Sequence, residues 1–248
     1  MHKGAPLNFC SPCLEATGAE AAYIGQLQLD VVQTSSELTL RHNSDECALH
    51  RLKGSFKVAD VNTCGEALVV REQEDTTVEV WSSLSIEASA APQVRYSLPG
   101  RLRVQTSAAG ASNFALLTNT SVYTLARNHF GEAGTTDDPL EGGHGDSGGG
   151  EPQLRLVDFF EGLRPRCVRA HGHCVAVLTE ARDVYVWGSH PALHSPSGEP
   201  QLVEFPEMYG EVNDVQLSAS QMLITTVAGE LYLAGSGAPL ASLPATRC

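Results

Sequence analysis

The sequence predicts an all-β fold: a β-propeller of about five recognisable repeats of 40–50 residues, forming one domain over residues 1–248. Three observations lead there. Short runs rich in Val, Leu, Thr and Tyr, bounded by Gly, Ser, Asn or Asp, recur along the chain: EALVVRE, TTVEVWSS, NFALLTN, SVYTLAR, CVAVLTE, DVYVWGS, QMLITTV and ELYLAGS. That is the composition of half-buried strands between turns. Long stretches with helical apolar spacing are missing, and the runs return in a fixed order, as in architectures whose units bury their faces against one another.

Taken from the start, a weak copy of the unit begins near Gly18 and has Ser35 to His42 (SSELTLRH) as its third strand. The second copy runs from Val58 to Ser83, with Gly65 in the place that Gly110 takes in the third, Val104 to Gly134. The fourth runs from Val168 to His190 and the fifth from Val215 to Gly237. The last three share a short strand, a small-residue step, an apolar strand, a tight turn and a strand of the form Val/Leu-Tyr, so that Tyr123, Tyr185 and Tyr232 stand in register. An acidic, glycine-rich stretch at 131–153 reads as a flexible loop inserted after the third copy, too poor in apolar residues to offset its ordering entropy. Units of three or four strands suit a propeller, where ring closure removes exposed edges. The runner-up is a β-sandwich, which also spaces short strands evenly.

AAGASNFALLT, VYTLA and NHFGEAG, together with HGHCVAVLTE and DVYVWGS, resemble the repeat of the regulator of chromosome condensation family. That repeat has a glycine-histidine step, a Val-Tyr-x-Trp-Gly strand and an Asn-x-x-Gly-Gln-Leu-Gly turn. Tyr185, Trp187, Gly188, Gly172 and His173 keep it, whereas the turn survives only as Gly131-Glu132-Ala133-Gly134 and most copies lack Trp or Gly. The resemblance implies a propeller, typically of seven blades.

Composition narrows the function. With 29 acids against 16 bases the net charge is −13, which disfavours a nucleic-acid backbone as ligand and favours a cationic protein partner. No apolar signal region and no run of eighteen apolar residues occur, so neither a leader nor a membrane interaction is expected. Seven cysteines at irregular spacing fit a reducing compartment, cytoplasmic or nuclear. Cys10-Ser-Pro-Cys13 lacks the second pair a structural zinc site needs. No metal or cofactor is expected.

The string GDSGG at Gly145–Gly149 matches the surroundings of the nucleophilic serine in chymotrypsin-like proteases. A serine needs a histidine base held by a carboxylate. None of His2, His42, His50, His129 and His144 has small residues before it and cysteine after it, and Ser147 lies in a glycine tract where such a match arises cheaply. The expectation is therefore no catalytic residue and no enzyme activity.

A protein-interaction scaffold remains, displaying loops from a rigid ring. Trp81, Trp187 and the three tyrosines read as packing residues, and His171 and His173 as structural histidines. Partner-binding candidates are bulky or charged groups between strands: Arg127, His129, Phe130, His190, His194, Met208 and Tyr209. Within the resembled family the acidic chain is similar to the fungal α-tubulin-suppressor type. This implies an accessory role beside a small zinc-binding protein in Elongator-dependent tRNA wobble-uridine modification and diphthamide synthesis. The alternative is guanine-nucleotide exchange on a Ran-like small GTPase, the family's founding activity.

Overall fold

The computed structural model describes residues 29–33, 37–42, 49–82, 91–135, 152–190, 197–205, 210–235 and 238–242. They form five antiparallel sheets following one another along the chain. The first contains β1 (Leu29–Gln33), β2 (Glu37–His42) and β3 (Leu49–Lys53). The second contains β4 (Phe56–Val61), β5 (Glu66–Arg71), β6 (Thr77–Ser82) and β7 (Val94–Ser97), and the third β8 (Val104–Ala109), β9 (Asn113–Thr118), β10 (Val122–Ala126) and β11 (Gln153–Leu156). The fourth holds β12 (Pro165–His171), β13 (His173–Thr179), β14 (Val184–Ser189) and β15 (Ser197–Leu202), and the fifth β16 (Val212–Leu217), β17 (Gln221–Thr226), β18 (Leu231–Gly235) and β19 (Ala238–Ser242).

Consecutive first strands pack side by side, β1 on β4, β4 on β8, β8 on β12 and β12 on β16, so these strands line the middle and the fourth strands the perimeter. Among the described residues no comparable packing joins the fifth sheet to the first. Each of β4, β8, β12 and β16 shifts register near its start, between Phe56/Val58, Val104/Thr106, Pro165/Cys167 and Val212/Asp214. A bulge there sharpens the local twist of a blade's inner strand.

The second strands are apolar on both faces because each sheet is buried on both. In β9, Phe114 and Leu116 join Leu68, Val70, Val78 and Val80 of the second sheet, while Ala115 and Leu117 turn to Val168, Val175, Val177 and Trp187 of the fourth. In β13, Cys174, Ala176 and Leu178 instead meet Val215, Met222, Ile224 and Tyr232 of the fifth. The first two sheets join through Leu38, Leu52, Phe56, Ala67, Val69 and Trp81. The cores therefore lie between blades, and side-chain alternation at period two assigns each residue to one seam.

Tyr123, Tyr185 and Tyr232 occupy one register position, opposite Leu116, Val177 and Ile224. Phe160 and Phe205, from the connections into the fourth and fifth sheets, meet Tyr185 and Tyr232 edge-on at centroid distances of 5.6 and 5.3 Å. In the second sheet this position holds Glu79, opposite Val69. Its carboxylate is 2% exposed, 2.9 Å from Arg95 Nη2 and 3.4 Å from Arg71 Nε, and accepts from Trp81 Nε1. A charge at such depth needs this compensation.

Two expectations change. The stretch Ser35 to His42 supplies β2, the middle strand of its sheet rather than a third one, because its alternating Leu38 and Leu40 suit either place. The ends of the 131–153 stretch belong to the fold: Gly131 to Thr135 forms a turn and Gln153 opens β11, whereas 136–151, with Ser147, lies outside the described residues. So do Cys10 and Cys13. Among the described residues no helix is long and apolar enough to cross a membrane.

Candidate interaction site

The turn from each first strand to the second and the loop from the third to the fourth emerge at the same end of the blades. Backbone bonds tie these turns across the seams: Thr63 and Cys64 N–H donate to the Gly110 and Ala111 carbonyls, and Ala111 N–H to that of Gly172. Gly110 has no room for a side chain, since a Cβ would strike Asn113 and the Gly172 carbonyl.

The loop leaving β10 straddles two seams. Arg127 reaches back to the second sheet, its Nη2 3.0 Å from Glu66 Oε1, while Glu66 Oε2 accepts from Asn62 Nδ2 at 2.8 Å. Asn128, at φ +62°, accepts from the Ala133 N–H through Oδ1, and the Ala133 carbonyl accepts from Thr124 Oγ1. Toward the fourth sheet, the Glu132 carbonyl accepts from Trp187 Nε1 at 3.1 Å, and Glu132 Oε2 from the Phe130 N–H at 2.6 Å. Gly131 packs on the backbone of Ser197 and Gly198.

Of the sequence-predicted partner residues, Arg127 is thus an inter-blade clamp with 27% of its side chain exposed. His190 is 7% exposed, its Nε2 2.8 Å from the Ser218 carbonyl, joining the fourth sheet to the fifth. His129 is exposed, and Phe130 is 49% exposed with its ring 4.1 Å from that of His173. His194, Met208 and Tyr209 lie outside the described residues. The structure brings together Arg127, His129 and Phe130 on one turn, beside the His171–His173 hairpin.

Replacing Arg127 with alanine leaves the Glu66 carboxylate, 8% exposed, without its cation. It is expected to cost about 2 kcal/mol in urea unfolding, with a double-mutant cycle against Glu66→Gln showing most of that as coupling. Additive single effects would refute the clamp.

The residue that sequence reasoning missed is Glu132. It is fully buried, its Oε1 3.7 Å from His173 Nδ1, too long for a hydrogen bond but close enough for charge attraction whenever the imidazole is protonated. Burial pushes the carboxyl up, yet the facing imidazole and the Phe130 N–H outweigh it and hold it below the ordinary range. A depressed carboxylate stabilises the fold above its unfolded pKa of about 4.3 and ceases to as pH falls through its folded value. Glu132→Gln should therefore flatten the acid limb of the stability curve, read as urea midpoints below about pH 5. An unchanged limb would contradict the assignment. The available signal was Glu132 standing where the resembled turn has glutamine.

Along the middle, Ser107 Oγ donates to Asp60, whose carboxyl is raised by burial and lowered in part by that hydroxyl and the Val61 N–H. Arg169 Nη2 lies 2.9 Å from Asp214 Oδ1. Burial pushes the Cys174 thiol up to about 12, which keeps it inert. Among the described residues no group of three or more His, Cys, Asp or Glu could hold a metal.

No protein-family model matches the chain, and no curated protein matches it either. Solved structures do. Human WBSCR16 superposes with a TM-score of 0.59 at 15% identity, over 82% of this chain and 57% of that one. Prp20p from Saccharomyces cerevisiae gives 0.58 at 13% identity, over 88% and 63%, and yeast RCC1 (Prp20) bound to Kap60 gives 0.56 at 12% identity, over 85% and 54%. The fold is an RCC1-like β-propeller. At these identities the likeness establishes the fold alone, and the chain spans about three fifths of the length of the first two proteins. In this RCC1-like propeller the degenerate turn at Gly131-Glu132-Ala133-Gly134 still fastens neighbouring blades, through the Glu132 carbonyl and Trp187.

Proposed function

We propose that this RCC1-like propeller is a non-enzymatic protein-interaction scaffold that receives a partner on the rim around His129 and Phe130. One observation carries the reading. The turn displaying Phe130 is bonded to the blades on both sides, yet leaves the ring half exposed. An aromatic group held rigid before binding loses little entropy on contact and makes a strong anchor.

Two partner classes fit the scaffold. One is a small zinc-binding protein, in an accessory role of the α-tubulin-suppressor type serving tRNA wobble-uridine modification and diphthamide synthesis. The other is a small GTPase. It is supported by Prp20p, described with its binding to Gsp1p and histones, and by BBS1N, solved with ARL6 at a TM-score of 0.50 and 11% identity.

The test is affinity purification of the intact chain beside Phe130→Asp, with Arg127 left in place because it holds the fold. The aspartate should reduce recovery of the specific partner at least tenfold while the unfolding midpoint stays put. Equal recovery would remove the rim from the binding site. Release of the partner by added guanine nucleotide would select the GTPase.

A further inference from the structure

The opposite end of the blades carries a second surface. Of the six large hydrophobic residues most exposed among the described ones, Phe130 alone belongs to the first rim. Leu156 and Leu202 end the perimeter strands β11 and β15, Phe159 and Leu163 lie in the connection into the fourth sheet, and Val227 lies in the turn after β17.

Three side chains form a continuous ledge on the fourth blade. The Phe159 ring, 43% exposed, meets Tyr185 at 5.1 Å, and Leu202, 55% exposed, is the cross-strand partner of Tyr185. Beneath them Phe160 and Trp187 close the seam and hold the tyrosine in place. Such a patch is a docking surface when its surroundings fit a partner.

Those surroundings are acidic. Asp158 and Glu161 flank Phe159, Asp183 lies beside Tyr185 closely enough to raise its phenol after burial does, and Glu204 follows Leu202 by two residues. None of the four carboxylates has a cationic partner among the described residues. Three of the nearby bases are engaged, Arg164 with Glu180, Arg182 with the Val212 carbonyl and Arg155 with Gln153, and the exposed Arg166 still leaves the four acids in excess.

We propose that the ledge of Phe159, Tyr185 and Leu202 docks a short basic segment of a protein partner, with one bulky apolar side chain seated on the ledge and Lys or Arg on either side facing the four carboxylates. The proposal rests on the scaffold reading but uses the end of the propeller away from Phe130.

The test is fluorescence anisotropy of the intact chain with three labelled peptides: alternating leucine and lysine, the same with glutamate for lysine, and the same with serine for leucine. The leucine-lysine peptide should bind alone, and weaken as salt rises. Leu202→Asp together with Phe159→Ser should weaken it at least tenfold. Both side chains are exposed, so the unfolding midpoint should hold. Asp158→Lys with Glu161→Lys should weaken it and admit the glutamate peptide. Phe130→Asp should leave peptide binding unchanged; loss of binding in that variant alone would put the peptide on the rim and overturn the ledge, whereas loss of the partner without loss of the peptide would leave the ledge standing. No binding, equal binding of the glutamate or serine peptide, or indifference to Leu202→Asp would overturn the proposal. So would concentration-dependent self-association abolished by Leu202→Asp, which would make the occupant a second copy.

Discussion

Trp187→Ala is expected to lower unfolding free energy by about 4 kcal/mol, a large share of the total stability of an ordinary domain. The indole is fully buried between the third and fourth sheets, 5.7 Å from Phe160 and against Gly134, where no Cβ would fit. Truncation opens a cavity in a seam whose other walls, Val168, Val175 and Val177, sit on strands and cannot collapse far. It also orphans the Glu132 carbonyl, which accepts from Trp187 Nε1. Trp187→Phe separates the two losses. It keeps most of the packing and should cost about 2 kcal/mol, mainly for the unmet buried carbonyl. Urea unfolding followed by circular dichroism reads both. A loss under about 1 kcal/mol for the alanine variant would show that the seam does not depend on this ring.

Gly188→Ala should be almost as damaging, although it adds only a methyl group. Gly188 lies within β14 at φ +91°, and a Cβ there would strike the His173 carbonyl oxygen, with the His173 carbonyl carbon and Cys174 Cα at 3.1 and 3.2 Å. The obstacle is the backbone of the paired strand β13, so relief requires the two strands to part. Left-handed strain and the clash together should cost about 4 kcal/mol. Gly172→Ala is the control. At φ +57° with nothing within 4 Å of the added carbon, it pays only the left-handed strain, about 1 kcal/mol. Similar losses for the two would mean that conformation, and not contact with β13, explains Gly188. The predicted difference also explains why DVYVWGS keeps its glycine next to Trp187.

Both residues stand out in the sequence itself. The second and third strands of the last four blades were legible because their apolar runs, buried on both faces, stand out from polar turns. The fourth strands were not. VRYS, QLRL, SGEPQL and APLAS are short and carry charged, glycine or proline residues, because a perimeter strand packs on one side only. Glu79 hid for a different reason: it fills a tyrosine position as a buried acid, and Arg71 and Arg95, drawn from β5 and β7, together with the Trp81 N–H make that tolerable.

The sequence by itself determined an all-β chain of repeated blades, the register of its three tyrosines and the exposed turn near Phe130. These follow from local rules, period-two alternation and turn chemistry, which neighbouring residues already express. Tertiary structure decided which charges are structural and which are free. Arg127 and Phe130 stand three residues apart on one turn, yet the first is spent on Glu66, which is 61 residues away in the chain, and the second faces solvent. The ledge of Phe159, Tyr185 and Leu202 likewise exists only once β14 and β15 pair. Coulomb attraction and burial depend on distance in space, and chain order does not carry that distance.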